Sequence, residues 1–294
     1  MKAKLFKNIL MCFVIMLSIF AAGCDDPFVL QPPVTDPYAD SSGIMSVHFV
    51  DVGQGDSILI LLPNSQVVLV DAGTTASSDY LVNYLKSQDV SVINYLVSTH
   101  PHEDHIGGML KVLDTFEVSA VLDPAYAHTT RTFQRYLEKI DELNIPFIPA
   151  RSGASYQIGD VKFDILWPDE VRETEKDVNE ISIVILVTYG DFSLLLTGDI
   201  GSKTESAILK NYDLGKIDVL KVPHHGSKGS SSATFINAIE PQISVISLGE
   251  GNTYGHPTQE ALDRLSNSQI YRTDISGNIV IETDGIDISI YTTK

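Results

Sequence analysis

The 294-residue sequence predicts a mixed α/β fold in which two sheets covered by helices form one domain over residues 45–294. Three observations carry this expectation. Short β-rich runs closed by Gly, Pro or Asn alternate with helical stretches in both halves of the chain. The runs 183–187 and 194–196 are continuously apolar, as strands buried on both faces require. Six of the eight histidines fall in three groups, at 100/102/105, 224/225 and 256, each just after a strand-like run. Loops in that position present side chains on a rigid scaffold.

Taken in order, residues 1–23 read as a lipoprotein signal peptide. Lys2, Lys4 and Lys7 precede an uncharged apolar run over 9–22, shorter than the ~20 residues a spanning helix needs. The segment ends in Ala21-Ala22-Gly23-Cys24, which resembles a bacterial lipobox. It implies export, lipidation of Cys24 and anchoring on the extracytoplasmic face of the cell membrane, because two acyl chains hold stably where one is marginal. With Cys12 removed and Cys24 modified, neither of the two cysteines would remain as a free thiol or a disulfide, so stability rests on the core. Residues 24–44, rich in Pro, Asp and Ser, are expected to be a flexible linker.

Strands are expected at 45–52, 57–62 and 66–71, a helix at 78–87 and a buried strand at 92–98. A helix from about 105 to 116, a strand at 120–123 and a helix at 130–143 follow. The second half reads as strands at 161–166, 181–189 and 192–197, then helix 203–211, strand 219–222, helix 232–239, strand 244–248 and helix 258–265. Paired strands at 277–283 and 287–292 close it around an Asp284-Gly285 turn. His48 lies inside the first strand and reads as packing.

Charge constrains the partners. The chain carries 20 Lys+Arg against 38 Asp+Glu, a net of −18. Removal of the three lysines in the signal segment leaves 17 against 38, a net of −21. Such a surface is repelled by phosphate backbones unless metal ions and local lysines compensate.

The chemistry concentrates in His100-Pro101-His102-Glu103-Asp104-His105. His100 and His102, two apart in extended backbone, point the same way. Asp104 and His105 follow at a helix start, where Asp104 also suits an N-cap. Two imidazoles on one side and a carboxylate–imidazole pair on the other can hold two divalent ions, Zn²⁺ or Mn²⁺.

This run, followed by Gly107-Gly108, resembles the signature of the metallo-β-lactamase (MBL) fold hydrolases. Phe49 to Ser57 (FVDVGQGDS), Val70-Asp71-Ala72-Gly73, Leu196-Thr197-Gly198-Asp199, Val222-Pro223-His224-His225-Gly226-Ser227, Tyr254-Gly255-His256-Pro257 and Arg272-Thr273-Asp274 are similar to the ComEC competence-protein branch. Together they cover residues 45–292. The resemblance implies a four-layer αββα sandwich with a dinuclear metal site at one edge of its sheets. It implies His100, His102, Asp104, His105, Asp199 and His225 as metal ligands, with Asp199 bridging. Asn179 stands 20 residues before Asp199, where many relatives carry a histidine. An amide is the weaker ligand, which favours exchangeable Mn²⁺ at the first metal. Asp71 is expected to orient a ligand imidazole from behind, and Gly53, Gly55 and Gly73 to turn the backbone tightly beside the metals.

Asp104 would orient the attacking water, and His256 or His224 would protonate the leaving group. His256 also suits a metal ligand, a substrate contact or a structural role beside Pro257. Ser227, Lys228 and His128 are candidate substrate contacts, the loop 227–232 offering N–H groups and hydroxyls to an anionic oxygen. The implied reaction is phosphodiester hydrolysis, of DNA or of choline-phosphate on wall polymers, as in the related pneumococcal phosphorylcholine esterase. The competing expectation is a non-catalytic lipoprotein that binds DNA or wall polymer. No obligate protein partner is implied.

Overall fold

Pairing in the first half begins antiparallel. β1 (Met45–Phe49), β2 (Ile58–Leu61) and β3 (Val67–Val70) form a meander, after which β4 (Val92–Val97), β5 (Glu117–Asp123) and β6 (Phe147–Pro149) add in parallel. Parallel neighbours need crossovers. These are α1 (Ser78–Ser87), the pair α2 (Glu103–Ile106) and α3 (Met109–Thr115), and α4 (Arg131–Glu142). The computed structural model describes residues 43–171 and 175–294. The signal peptide, nearly all of the linker and Cys24 lie outside the described residues.

The second half repeats the plan. β7 (Ser155–Ile158), β8 (Val161–Trp167), β9 (Val184–Tyr189) and β10 (Phe192–Leu196) are antiparallel, and β11 (Val219–Lys221), β12 (Ile243–Ile246) and β13 (Gln269–Arg272) follow in parallel. Their crossovers are α5 (Ser202–Asn211), α6 (Ala233–Ile239) and α7 (Gln259–Arg264). The one-turn helix α8 (Thr273–Ser276) then leads back to the first sheet, where β14 (Ile279–Thr283) pairs with β1 and carries β15 (Ile288–Thr292) on its outer edge. The result is an eight-stranded sheet, β15-β14-β1-β2-β3-β4-β5-β6, and a seven-stranded sheet, β13-β12-β11-β10-β9-β8-β7.

Strand periodicity explains the layering. In the first sheet Leu59, Leu69, Leu96 and Val121 pack with Leu81, Leu85, Val112, Phe133 and Tyr136 of the helices. In the second, Leu195, Leu220 and Ile246 pack with Ile208, Phe235 and Leu265. The alternate residues face the other way. Val68, Tyr95, Val97 and Leu122 of one sheet and Ile158, Phe163, Ile165 and Ile185 of the other line a common apolar space. Helices thus cover both outer faces while the sheets pack face to face, the αββα sandwich that the family resemblance implies. Helix α4 shows the local logic. Thr130 accepts from the Phe133 N–H as N-cap, and Phe133, Tyr136 and Ile140 bury one face at helical spacing.

Three departures bear on the site. The helix expected from 105 starts at Glu103, with His102 at the N-cap position and making no side-chain cap bond. Asp104 is therefore no N-cap, and its carboxylate is left for other work. The helix then breaks at Gly107-Gly108 because the 72–75 segment crosses it. A Cβ on Gly108 would lie 2.2 Å from the Ala72 carbonyl oxygen. Finally, the strand expected from 181 begins at Val184, after a 3₁₀ turn Val178–Ile181 that carries Asn179.

Candidate metal centre

The chemistry-bearing side chains gather from loops at the carboxyl ends of strands of both sheets. Asp71 follows β3, His100 to His105 follow β4, Asp199 follows β10, His224 and His225 follow β11, and His256 lies on the β12–α7 connection. The turn after β1 comes in beside them. Gly55 there has φ +119°, and a Cβ on it would sit 1.9 Å from the Asp104 carbonyl oxygen. Only glycine allows that approach.

The orientation of two imidazoles is set from behind. His105 Nδ1–H donates to Asp71 Oδ2 at 2.7 Å, while Asp71 also accepts from Thr99 N–H at 2.8 Å and Thr99 Oγ1 at 2.6 Å. Nε2 of His105 is thereby turned inward, 3.3 Å from Asp199 Oδ2. His225 Nδ1–H donates to the Ser247 carbonyl at 2.8 Å. Its Nε2 lies 3.4 Å from Asp199 Oδ2 and 3.5 Å from Asp104 Oδ2. A carboxylate or carbonyl fixing the far nitrogen is the arrangement that prepares an imidazole to ligate metal.

Backbone strain contributes as well. Asp71, His224 and His225 are non-glycine residues at φ 58°, 49° and 53°, each costing about 1–2 kcal/mol. The twin left-handed residues splay the two histidines, with ring planes 77° apart and centroids 6.2 Å apart. His225 turns into the interior, while the His224 side chain is 33% exposed, its Nε2 4.0 Å from Asp199 Oδ2.

The donor set fits divalent cations. His105 Nε2, His225 Nε2 and Asp199 Oδ1 are buried without hydrogen-bond partners, a costly state unless something else coordinates them. Donor atoms of His100, His105 and Asp199 lie within 4.8 Å of one another, as do those of Asp104, His105 and His225. A third trio, Asp56, Asp71 and His105, meets the same distance test. It is already served by a cation of the chain itself, because Lys221 Nζ sits 2.7 Å from Asp56 Oδ2. His102 flanks the first trio, its Nδ1 3.0 Å from His100 Nε2.

Electrostatics point the same way. Burial and the neighbouring His105 hold His100 far below the ordinary imidazole range. Burial opposes charging of His105 too, but Asp199 and Asp71 outweigh it and hold His105 well above that range. For His225 burial is likewise outweighed, by Asp199 and Asp104, which push it up to about 10. Despite burial, His225 and His105 keep Asp199 well below the usual carboxylate range.

The other sequence-predicted residues divide. Asn179 Oδ1 is buried and unpartnered, on the turn ahead of Ile183, whose N–H donates to the Thr99 carbonyl. His256 packs edge-on to His224 with centroids 5.8 Å apart. His128 is tied to Thr130 Oγ1 at 3.0 Å and packs on Phe133. His48 is buried between Ser46 and Tyr84. The loop 227–232 departs from expectation. Its Ser231 and Ser232 N–H groups are taken by the buried Glu205 carboxylate, Ser227 Oγ turns to Ser230, and Lys228, 74% exposed, pairs with Glu260 at 2.8 Å. An internal anion fills the cradle that a substrate anion was expected to use.

Sequence reasoning missed the Asp56–Lys221 pair. Lys221 is fully buried, also donating to the Val222 carbonyl at 3.0 Å. Asp56, on the first-sheet side, lies 3.5 Å from His225 Nδ1 and 3.9 Å from His105 Nδ1. The available signal was a lone lysine in the apolar run 219–222.

Comparison with known proteins agrees with this geometry. The chain is 31% identical over 262 residues to ComE operon protein 3 of Bacillus subtilis, covering 83% of this chain and 33% of that protein. It is 32% identical over 243 residues to Recombination protein 2 of Haemophilus influenzae, covering 79% of this chain and 28% of that protein. It therefore spans about a third of the length of these relatives. Among solved structures, the metallo-beta-lactamase fold protein YhfI of Bacillus subtilis superposes with a TM-score of 0.54 at 12% identity, covering 81% of this chain and all of that one. The family model of the metallo-beta-lactamase superfamily matches residues 50–250. With the αββα sandwich and the clustered His/Asp donors, this match places the chain in the metallo-beta-lactamase superfamily, with Competence protein ComA of Neisseria gonorrhoeae, 31% identical over 246 residues (82% of this chain, 33% of that protein), also among its relatives.

Proposed function

We propose that the chain is a divalent-metal-dependent phosphodiesterase of the ComEC type, cleaving DNA-like phosphodiesters at the outer face of the cell membrane. The observation that carries this reading is the pair of donor trios sharing His105, with Asp199 Oδ2 3.3 and 3.4 Å from the inward-facing Nε2 atoms of His105 and His225, which are buried without hydrogen-bond partners. The competence and recombination relatives support the substrate class, and the apolar leader ending at Cys24 supports export and lipid anchoring. Among the described residues no helix is long and apolar enough to cross a membrane.

In this reading His100, His102 and Asp199 hold one ion, and Asp104, His105, His225 and Asp199 hold the other, Zn²⁺ or Mn²⁺. Two such ions supply positive charge that polarises a phosphoryl oxygen and makes water a competent nucleophile at neutral pH. The chain's own residues do the rest. Asp104, whose side chain is 26% exposed, faces the opening and orients the attacking water. Burial, His224 and His225 hold His256 below the ordinary imidazole range. On geometry, proton delivery to the leaving oxygen is assigned to His224, whose side chain is 33% exposed and whose Nε2 lies 4.0 Å from Asp199 Oδ2.

The test is a substrate panel on protein loaded with Mn²⁺ or Zn²⁺: bis(p-nitrophenyl) phosphate, single-stranded DNA and phosphorylcholine esters. Turnover of the first two supports the proposal. Turnover of the choline esters alone would make the protein a phosphorylcholine esterase, and full metal content with no turnover would make it a binding protein.

A further inference from the structure

Tyr254 is 67% exposed, yet it stands on a braced loop. The Asn252 side-chain amide donates to the carbonyls of Gly249 and His256 at 3.3 and 2.7 Å, and its Oδ1 accepts from the His256 N–H at 3.1 Å. The base of the loop is pressed on the turn after β1. Gly249 N–H donates to Gln54 Oε1 at 3.4 Å, and a Cβ on Gly249 would lie 2.7 Å from Gln54 N. The tyrosine is thus held out in solvent by a built connection.

Its ring continues an aromatic series that starts at the metal centre. His224 Nε2 is 4.0 Å from Asp199 Oδ2. His256 packs edge-on to His224 at 5.8 Å and 80°, and Tyr254 stacks on His256 at 5.9 Å and 24°. The imidazole lies beside one face of the Tyr254 ring, and the tyrosine is 67% exposed.

We infer that the Tyr254–His256 stack is a platform for a planar ring of the substrate, a nucleobase next to the scissile phosphodiester. The inference rests on the phosphodiesterase reading and narrows its substrate. Two physical arguments favour a base over other groups. First, the chain carries a net charge of −18, and the basic side chains near this edge are committed elsewhere. Lys228 pairs with Glu260, Arg264 reaches the Lys228 and Ser230 carbonyls, and Lys221 is buried against Asp56. Ordinary phosphate capture is weak here, whereas stacking on an aromatic face needs no positive charge and accepts every base. Second, the platform is flat, a tyrosine backed by one imidazole. A quaternary ammonium is favoured instead by a cage of several rings.

The test uses the full, metal-loaded protein and two end-labelled oligonucleotides of equal length, one bearing bases and one fully abasic. Wild type should favour the base-bearing strand by about 10-fold in kcat/KM, mostly through KM. Tyr254→Leu should erase that preference, and Tyr254→Trp should keep it, at unchanged metal content. A preference that survives Tyr254→Leu overturns the platform, as does a wild type that treats both strands alike. If Tyr254→Leu instead raises KM only for p-nitrophenyl phosphorylcholine, the platform serves choline and the inference is wrong. If wild type with full metal content cleaves neither strand, the phosphodiesterase reading itself fails, and the base platform with it.

Discussion

Replacing Lys221 by methionine should destabilise the protein far more than removing the whole ion pair. The Lys221 ammonium is fully buried, 2.7 Å from Asp56 Oδ2, and the Asp56 side chain is 2% exposed. Asp56 Oδ1 has no hydrogen-bond partner, so the ammonium is its main compensation. Truncating one member of such a pair strands a charge in low dielectric and costs about 3–5 kcal/mol, whereas replacing both members by uncharged groups is often near neutral. Against a total stability of about 5–15 kcal/mol this is a large fraction. The assay is urea denaturation in EDTA of wild type, Lys221→Met, Asp56→Asn and the double variant, so that metal binding adds nothing to the folded state. Both single variants should lose several kcal/mol, and the double variant should lose less than Lys221→Met alone. A Lys221→Met midpoint equal to that of wild type, or additive losses in the double variant, would refute the argument that this pair balances charge across the two sheets.

Two further outcomes follow from the titrating groups. Burial pushes His48 down to about 4, against an ordinary value of 6.5, so the fold holds it neutral. The unfolded chain then binds the proton first, and the stability from neutral His48 is complete above pH 6.5 and lost as pH falls toward 4, by up to ~3 kcal/mol. Asp123, pushed up to about 6 by burial, titrates with the opposite sign through the same window. The difference between wild type and His48→Gln in urea midpoints at pH 5 and 7.5 isolates the histidine; identical shifts in both proteins would remove it from the acid response. At the metal centre, His105 and His225 are held above the ordinary imidazole range. Loading Zn²⁺ or Mn²⁺ at pH 7.5 should therefore release protons, about one from each. Calorimetry in buffers of different ionisation enthalpy reads this directly, and enthalpies independent of buffer would contradict it.

Much of the site was legible in local sequence because its donors come in tight runs after strands. His100, His102, Asp104 and His105 lie within six residues, and the His224-His225 pair stands directly after a strand. Helix α1 was predicted at its observed bounds, since its apolar spacing is undisturbed. Pairing between distant segments was not legible. Strands β6, β7 and β13 are three or four residues long and exist because an edge is available, which composition does not record. The loop 227–232 looked like an anion cradle because its hydroxyls and N–H groups are real. Glu205, brought in from helix α5, fills it. Asp56 stood in a recognised motif without a role, because its partner Lys221 comes from the opposite sheet.

The central claim is that the two donor trios, which share His105, hold divalent cations together with Asp199. Metal content by plasma mass spectrometry, with DNA hydrolysis on the same samples, tests it most directly for folded wild type and Asp199→Ala. Two equivalents of Mn²⁺ or Zn²⁺ and turnover in wild type, with both lost together in Asp199→Ala, is the predicted result. A folded wild type that retains no metal, or an Asp199→Ala protein that keeps both full metal content and activity, would contradict it.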